Sequence, residues 1–267
     1  MKALFQQSFT LGKRDINVAV TIQTNRDERT DERMDSLDHG AVRDFYDRVY
    51  YGAGPAPGEV PGHLRRLASR FQPWSEKRIL DVACGAGMWL SATAVLGAVP
   101  AGVDLSRVAL DLCRDALPHA ELQCGPAEKL PFADGQFDFV SCLGALEHFL
   151  DPTRALREMV RVATPDAEFL LLVPNADFPP SRLGLYGGTD QSSVREELRS
   201  LEGWHELFES AGLTIVKRWR DLHVLSTSWI TLGPWYFWPV RLAQALMLPV
   251  WPLSWQYQVY YHCSLKK

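Results

Sequence analysis

The chain has 267 residues, of which 46% are hydrophobic and 22% charged, with a formal net charge of −4. That length allows one domain with a full core, or one domain plus an insertion, and with no Lys/Arg block to track a phosphate backbone, nucleic acid is not expected as a partner. The five cysteines are odd in number, scattered and never in C-x-x-C spacing, which argues against a disulfide scaffold or a zinc site and for reduced thiols in the cytoplasm.

In chain order, residues 1–36 show no sustained period. Ala3-Leu4-Phe5 is broken by Gln6-Gln7, too short for a signal-peptide core, and Arg26 to Asp35 is nearly all charge and Thr. This stretch reads as a flexible leader, with Met34 a plausible alternative start, and residues 37–267 as the folded domain. His39 to Gly52 has helical spacing with Val42, Phe45, Tyr46, Val49 and Tyr50 on one face. Helix-spaced aromatics are more often core than ligand wall, so packing is the expectation for Tyr46, Tyr50 and Tyr51. A Gly/Pro-rich loop and a second helix, Pro61 to Phe71, follow.

Ile79, Leu80, Val82 and Ala83 form a short apolar run with Asp81 inside it, as in a buried parallel strand. Gly85 and Gly87 follow at once, then a helical stretch, Met88 to Leu96, closed by Gly97. Strand, glycine turn and helix bring backbone N–H groups to a ligand at a helix N-terminus. Asp104 closes the next apolar run, Ala98 to Asp104, where a carboxylate at a strand tip can accept from ribose hydroxyls. A dinucleotide and S-adenosylmethionine both suit such a skeleton. The dinucleotide fingerprint wants a third glycine where Leu90 stands, and a nicotinamide site has no use for Asp81, whereas a cofactor with a free ammonium does.

Downstream, Ser106 caps a third helix, Ala120 to Cys124 is a third strand, and Gly125 to Phe132 a loop. Gln136 to Cys142 is the fourth strand, Thr153 to Val162 a helix and Glu168 to Val173 the fifth strand. Residues 176–200 are turn-rich, a segment placed to cover a substrate. A helix, Leu201 to Gly212, precedes a sixth strand, Thr214 to Arg220, and Gln256 to Lys266 alternates as a seventh. Between these two strands, Trp229 to Leu253 holds four tryptophans and one charge, Arg241. Pro234, Pro239, Arg241 and Gln244 argue against a spanning helix. Three roles are open for residues 229–253: a lid on an apolar substrate, a homodimer patch, or a wedge in a membrane interface.

D-V-A-C-G-A-G at Asp81 to Gly87 resembles motif I of the class I S-adenosylmethionine-dependent methyltransferases, with Ala83 in place of the first glycine. Gly125 to Phe132 resembles that family's adenine-wrapping loop, with Pro126 where an Asp is common. L-E-H-x-x-D-P at Leu146 to Pro152, R-V-x-x-P at Arg161 to Pro165, Pro174-Asn175 and E-G-W-H-E-L-F-E-S-A-G at Glu202 to Gly212 resemble the type 11 group in order.

The resemblance implies an α/β, Rossmann-like, doubly wound sheet of seven mostly parallel strands. The last strand is antiparallel, and an apolar insertion separates strands six and seven. It implies S-adenosyl-L-methionine as cofactor. Asp81, Ala83, Gly85 and Gly87 would lie at its methionine end, Asp104 on the ribose, Leu105 against the adenine, Ala127 and Glu128 near its amino group, and Leu143 in the wall. His148 is the catalytic candidate, as a general base, with a plain pocket-wall role as its alternative. Relatives that bind a metal through Glu-His use a further Glu where Gly144 stands, so no metal is expected. The function implied is methyl transfer to a small, apolar acceptor through O, N or C, in a cytoplasmic or membrane-peripheral enzyme. The alternative is a non-catalytic S-adenosylmethionine-binding or scaffolding protein that docks a partner through its aromatic segment.

Overall fold

The structure, a computed structural model, describes residues 39–51, 58–182, 196–221, 230–231 and 234–266. The leader, residues 183–195 of the first insert and residues 222–229 and 232–233 around the second lie outside the described residues.

Seven strands form one sheet: β1 (Arg78–Val82), β2 (Val99–Asp104), β3 (Glu121–Cys124), β4 (Phe137–Leu143), β5 (Ala163–Pro174), β6 (Leu213–Arg220) and β7 (Gln258–Leu265). Their order is β3-β2-β1-β4-β5-β7-β6. Strands β1 to β5 run parallel, and β7 is antiparallel to both β5 and β6. The chain winds outward from β1 through β2 to β3, then returns to lay β4 on the other side of β1. Ligands of such sheets bind beyond the strand C-termini, at this reversal.

Ile79, Leu80, Asp81 and Val82 are all buried, which is why this strand lacks polar alternation. Alternate β1 residues feed two cores. Leu80 and Val82 pack with Phe137, Leu156, Met159 and Trp204, whereas Ile79 packs with Phe71, Trp74, Trp89 and Phe139. The helices begin where short polar side chains take up orphan N–H groups. Ser106 Oγ accepts from the Ala109 N–H at 3.1 Å at the start of α4 (Arg107–Ala116). Asp151 Oδ1 accepts from the Arg154 N–H at 2.9 Å at the start of α5 (Pro152–Val162). Ser200 Oγ accepts from the Gly203 N–H at 3.0 Å, opening α6 (Leu201–Ser210).

Three local features differ from the sequence expectation. The first helix is α for only His39–Phe45 (α1), ahead of a second at Gly62–Ala68 (α2), and Tyr46–Tyr50 is a π turn in which the Tyr51 N–H donates to Tyr46 O at 2.8 Å. Wider turns of this kind recur at functional sites. Ala83 lies outside β1, in a left-handed conformation with φ 60°. Strand β5 starts at Ala163 rather than Glu168, because Phe137 pairs with Ala163 and Phe139 with Glu168. The extra residues form a bulge that includes Pro165, which has no N–H to give a ladder.

Candidate functional site

A cavity of about 330 Å³ opens beyond the C-termini of β1, β2 and β4. Asp81, Ala83, Gly85, Asp104, Leu105, Ala127, Glu128, Leu143 and His148 all line it. Of the residues expected from the sequence, only Gly87 stands behind the wall. It caps helix α3 (Met88–Ala94) with φ 77°, and a Cβ there would fall well inside contact distance of Cys113 Sγ. Its lack of a side chain lets α3 and α4 approach.

Asp81 sits opposite Ser141 in the β1–β4 pairing, and the Ser141 hydroxyl donates to Asp81 Oδ1 at 2.6 Å. The Trp89 indole N–H donates to the same hydroxyl oxygen at 3.0 Å, which holds it in place. Burial pushes the Asp81 carboxyl up to about 7, against the opposing pull of the serine hydroxyl. Asp104 bridges two turns. Its Oδ2 accepts from the Gly85 N–H and its Oδ1 from the Ser106 N–H, each at 2.8 Å. Burial still raises this carboxyl to about 6. The glycine loop and the β2–α4 turn are thus fastened by one side chain, with further lone pairs on both oxygens.

Helix α1 and its π turn close over this cradle. The Arg43 guanidinium Nε–H donates to Leu105 O at 3.1 Å, and Ser106 Oγ donates to Asp47. Tyr46, Tyr50 and Tyr51 line the cavity, so the expectation of simple core packing is corrected. A Cβ on Gly85 would lie 2.6 Å from the Tyr51 hydroxyl, so the ring rests on the glycine loop. Burial holds the Tyr46 and Tyr51 phenols neutral. Glu128 is engaged on both oxygens, from the Asp151 N–H at 3.2 Å and with His39 Nε2 at 3.2 Å. It ties α1 and the start of α5 to the loop of residues 125–132.

At the other end of the cavity, Glu147 and His148 sit in a single 3-10 turn, Leu146–His148, both buried. Glu147 Oε2 has no hydrogen-bond partner, and burial pushes the carboxyl up to about 8. In the sequence Glu147 stood out only as a possible metal ligand beside His148, because nothing local shows that its carboxyl is enclosed. Tyr257, Gln258 and Tyr260, at the start of β7, complete the wall. Their alternation marked a strand, but nothing local showed that its first turns would reach a pocket more than 100 residues upstream. Among the described residues, no three His, Cys, Asp or Glu side chains gather as a metal site.

Residues 80–171 match the model of a family described as a methyltransferase domain. The uncharacterized methyltransferase YcgJ of Bacillus subtilis is 31% identical over 60% of this chain and 66% of its own. The methyltransferase GfsG of Streptomyces halstedii is 26% identical over 65% of this chain and 68% of its own. The chain therefore spans about two thirds of the length of these relatives. The crystal structure of YcgJ shares the fold, with a TM-score of 0.55 at 22% identity, over 77% of this chain and 98% of that one. So does the crystal structure of the [4+2]-cyclase SpnF, with a TM-score of 0.60 at 19% identity, over 86% of this chain and 97% of that one.

Proposed function

We propose, because this chain belongs to the class I S-adenosylmethionine-dependent methyltransferases of the type 11 group, that it methylates a small, apolar acceptor. The observation that carries this reading is the buried Asp81 carboxyl, set in a cavity wall beside the Gly85–Asp104 clasp. A carboxyl buried at such cost needs a cationic partner, and the ammonium of the cofactor's methionine end is one. Asp104, with lone pairs left on both oxygens, would accept from the ribose. Leu105 and Ala127 would flank the adenine.

S-adenosylmethionine, when bound, supplies a methyl group activated by a positively charged sulfonium. The chain's own part is then to orient the acceptor and exclude water, a proximity effect that can be large. Tyr46, Tyr50 and Tyr51 form the roof over that end, with Leu172, Tyr257 and Tyr260 as largely apolar wall. An acceptor hydroxyl or amine has to lose a proton. The cavity wall offers the His148 imidazole and, once the pH passes about 8, the Glu147 carboxylate to receive it. Residues 229–253, whether lid, dimer patch or membrane wedge, would govern how the acceptor arrives.

Calorimetry with S-adenosylmethionine and with NADH tests the cofactor reading, and binding of NADH alone would overturn it. Formation of S-adenosylhomocysteine in the presence of small-molecule extracts tests methyl transfer. Tight cofactor binding without any such turnover would favour the non-catalytic alternative.

A further inference from the structure

Eight of the twelve large hydrophobic side chains that the described residues expose lie between Trp235 and Trp255, so exposed apolar surface is concentrated on one segment. Its helix α7 (Trp238–Met247) is inside out. Trp238, Leu242 and Leu246 succeed one another at four-residue steps along it and all are exposed, Leu246 at 69%, and Val250 in the turn beyond its end is exposed at 73%. Ala245 is buried and Arg241 half-buried on the inner side, where burial lowers the guanidinium's pKa. A helix facing water turns its apolar stripe inward. This one turns it outward, and a patch of that size on a protein marks a binding surface.

We propose that the segment from Trp235 to Trp255 docks the protein on the interface of a lipid bilayer. Three observations select this occupant. Trp235, Tyr236, Trp238 and Trp255, all exposed, join an apolar ring to a polar N–H or O–H, the combination that settles at headgroup depth. Residues 235–255 themselves contain one charge, Arg241, and no Asp or Glu, in a chain of net charge −4, so the segment brings no carboxylate of its own to anionic headgroups. No helix among the described residues is long and apolar enough to cross a membrane, but a ten-residue helix followed by Pro249 and Pro252 can lie in its plane.

The docking face is fastened next to the cavity wall. Asn175 Nδ2–H groups donate to Ser254 O at 2.8 Å and Gln256 O at 3.1 Å, and Gln256 Nε2–H donates to Leu248 O at 3.0 Å. The residue after Gln256, Tyr257, already lines the cavity. An acceptor dissolved in the bilayer would thus enter beside the anchor, a consequence that rests on the methyl-transfer reading, whereas the docking itself does not.

The test sediments the full chain with vesicles of phosphatidylcholine mixed with phosphatidylglycerol, and follows its tryptophan emission. The wild type pellets with the vesicles and its emission shifts to the blue. Leu246→Ser with Val250→Ser lowers the partition coefficient by at least about tenfold, two exposed aliphatic side chains having lost their burial in the interface. Its S-adenosylmethionine affinity stays that of the wild type. A wild type left in the supernatant overturns the proposal, as does a double variant that binds vesicles equally well. A vesicle-free wild-type dimer dissolved by the same two substitutions overturns it in favour of a second copy. Pelleting by a protein that fails to bind S-adenosylmethionine supports the docking while refuting the methyltransferase reading.

Discussion

Gly87→Ala separates what a glycine does for packing from what it does for a ligand. At φ 77° an alanine costs about 1–2 kcal/mol, offset by about 0.4–1 kcal/mol because the unfolded chain loses freedom. The new Cβ would press on Cys113 Sγ and come within 3.3 Å of Cys113 Cβ, on a helix whose Ala109, Leu110 and Cys113 are buried. Overpacking of this sort adds about 1–3 kcal/mol. The expected total is about 2–4 kcal/mol, a loss of about 5–15 °C in melting temperature for a chain of this size. Cys113→Ala alone costs about 1 kcal/mol for the vacated space, and in the double variant the steric part disappears. Urea unfolding of the four proteins gives the cycle, with an expected coupling of about 1–3 kcal/mol. Cofactor affinity changes little, since Gly87 lies behind the wall. Strict additivity, or a Gly87→Ala variant as stable as wild type with its S-adenosylmethionine binding abolished, would refute this assignment.

Asp104→Ala removes the acceptor of two backbone N–H groups as well as the proposed ribose contact. Calorimetry should show S-adenosylmethionine binding weakened by about 1–3 kcal/mol in a protein that still folds. The pH dependence follows from Asp81 and Asp104, raised to about 7 and about 6, with Glu147 at about 8. Each holds a proton when folded that the unfolded chain has lost above about pH 4–5, so stability falls as pH rises from there towards 8. Thermal unfolding across pH 5 to 8 checks the fall, and saturating S-adenosylmethionine should flatten it by favouring the ionised Asp81. His148→Ala should lower turnover less than about tenfold, and a 10²–10⁴-fold loss with intact cofactor affinity would make the imidazole the base.

The stretch from Arg78 to Asn175 was legible in the sequence because its signals are local. A buried strand, a glycine turn and a capped helix each declare themselves within about ten residues. Asp81, Gly85 and Asp104 were therefore placed from the sequence, and all three meet at the cavity. The alternation of β7 likewise announced a strand, and its antiparallel sense followed from family resemblance, whereas its pairing with β5 came from the structure.

What the tertiary structure alone decided depends on partners far apart in the chain. Gly85 and Gly87 look alike in sequence, yet one rests under Tyr51 at the cavity and the other against Cys113 behind it. Tyr46, Tyr50 and Tyr51 carry helical spacing that serves a core as well as a pocket, and the docking of Arg43 and Asp47 on the β2–α4 turn sets them at the cavity. Glu147 became visible as a titrating group only once its oxygen was seen enclosed without a donor. Periodicity records which face of an element is apolar. It does not record what lies opposite that face, and chemistry at a site is set by what lies opposite.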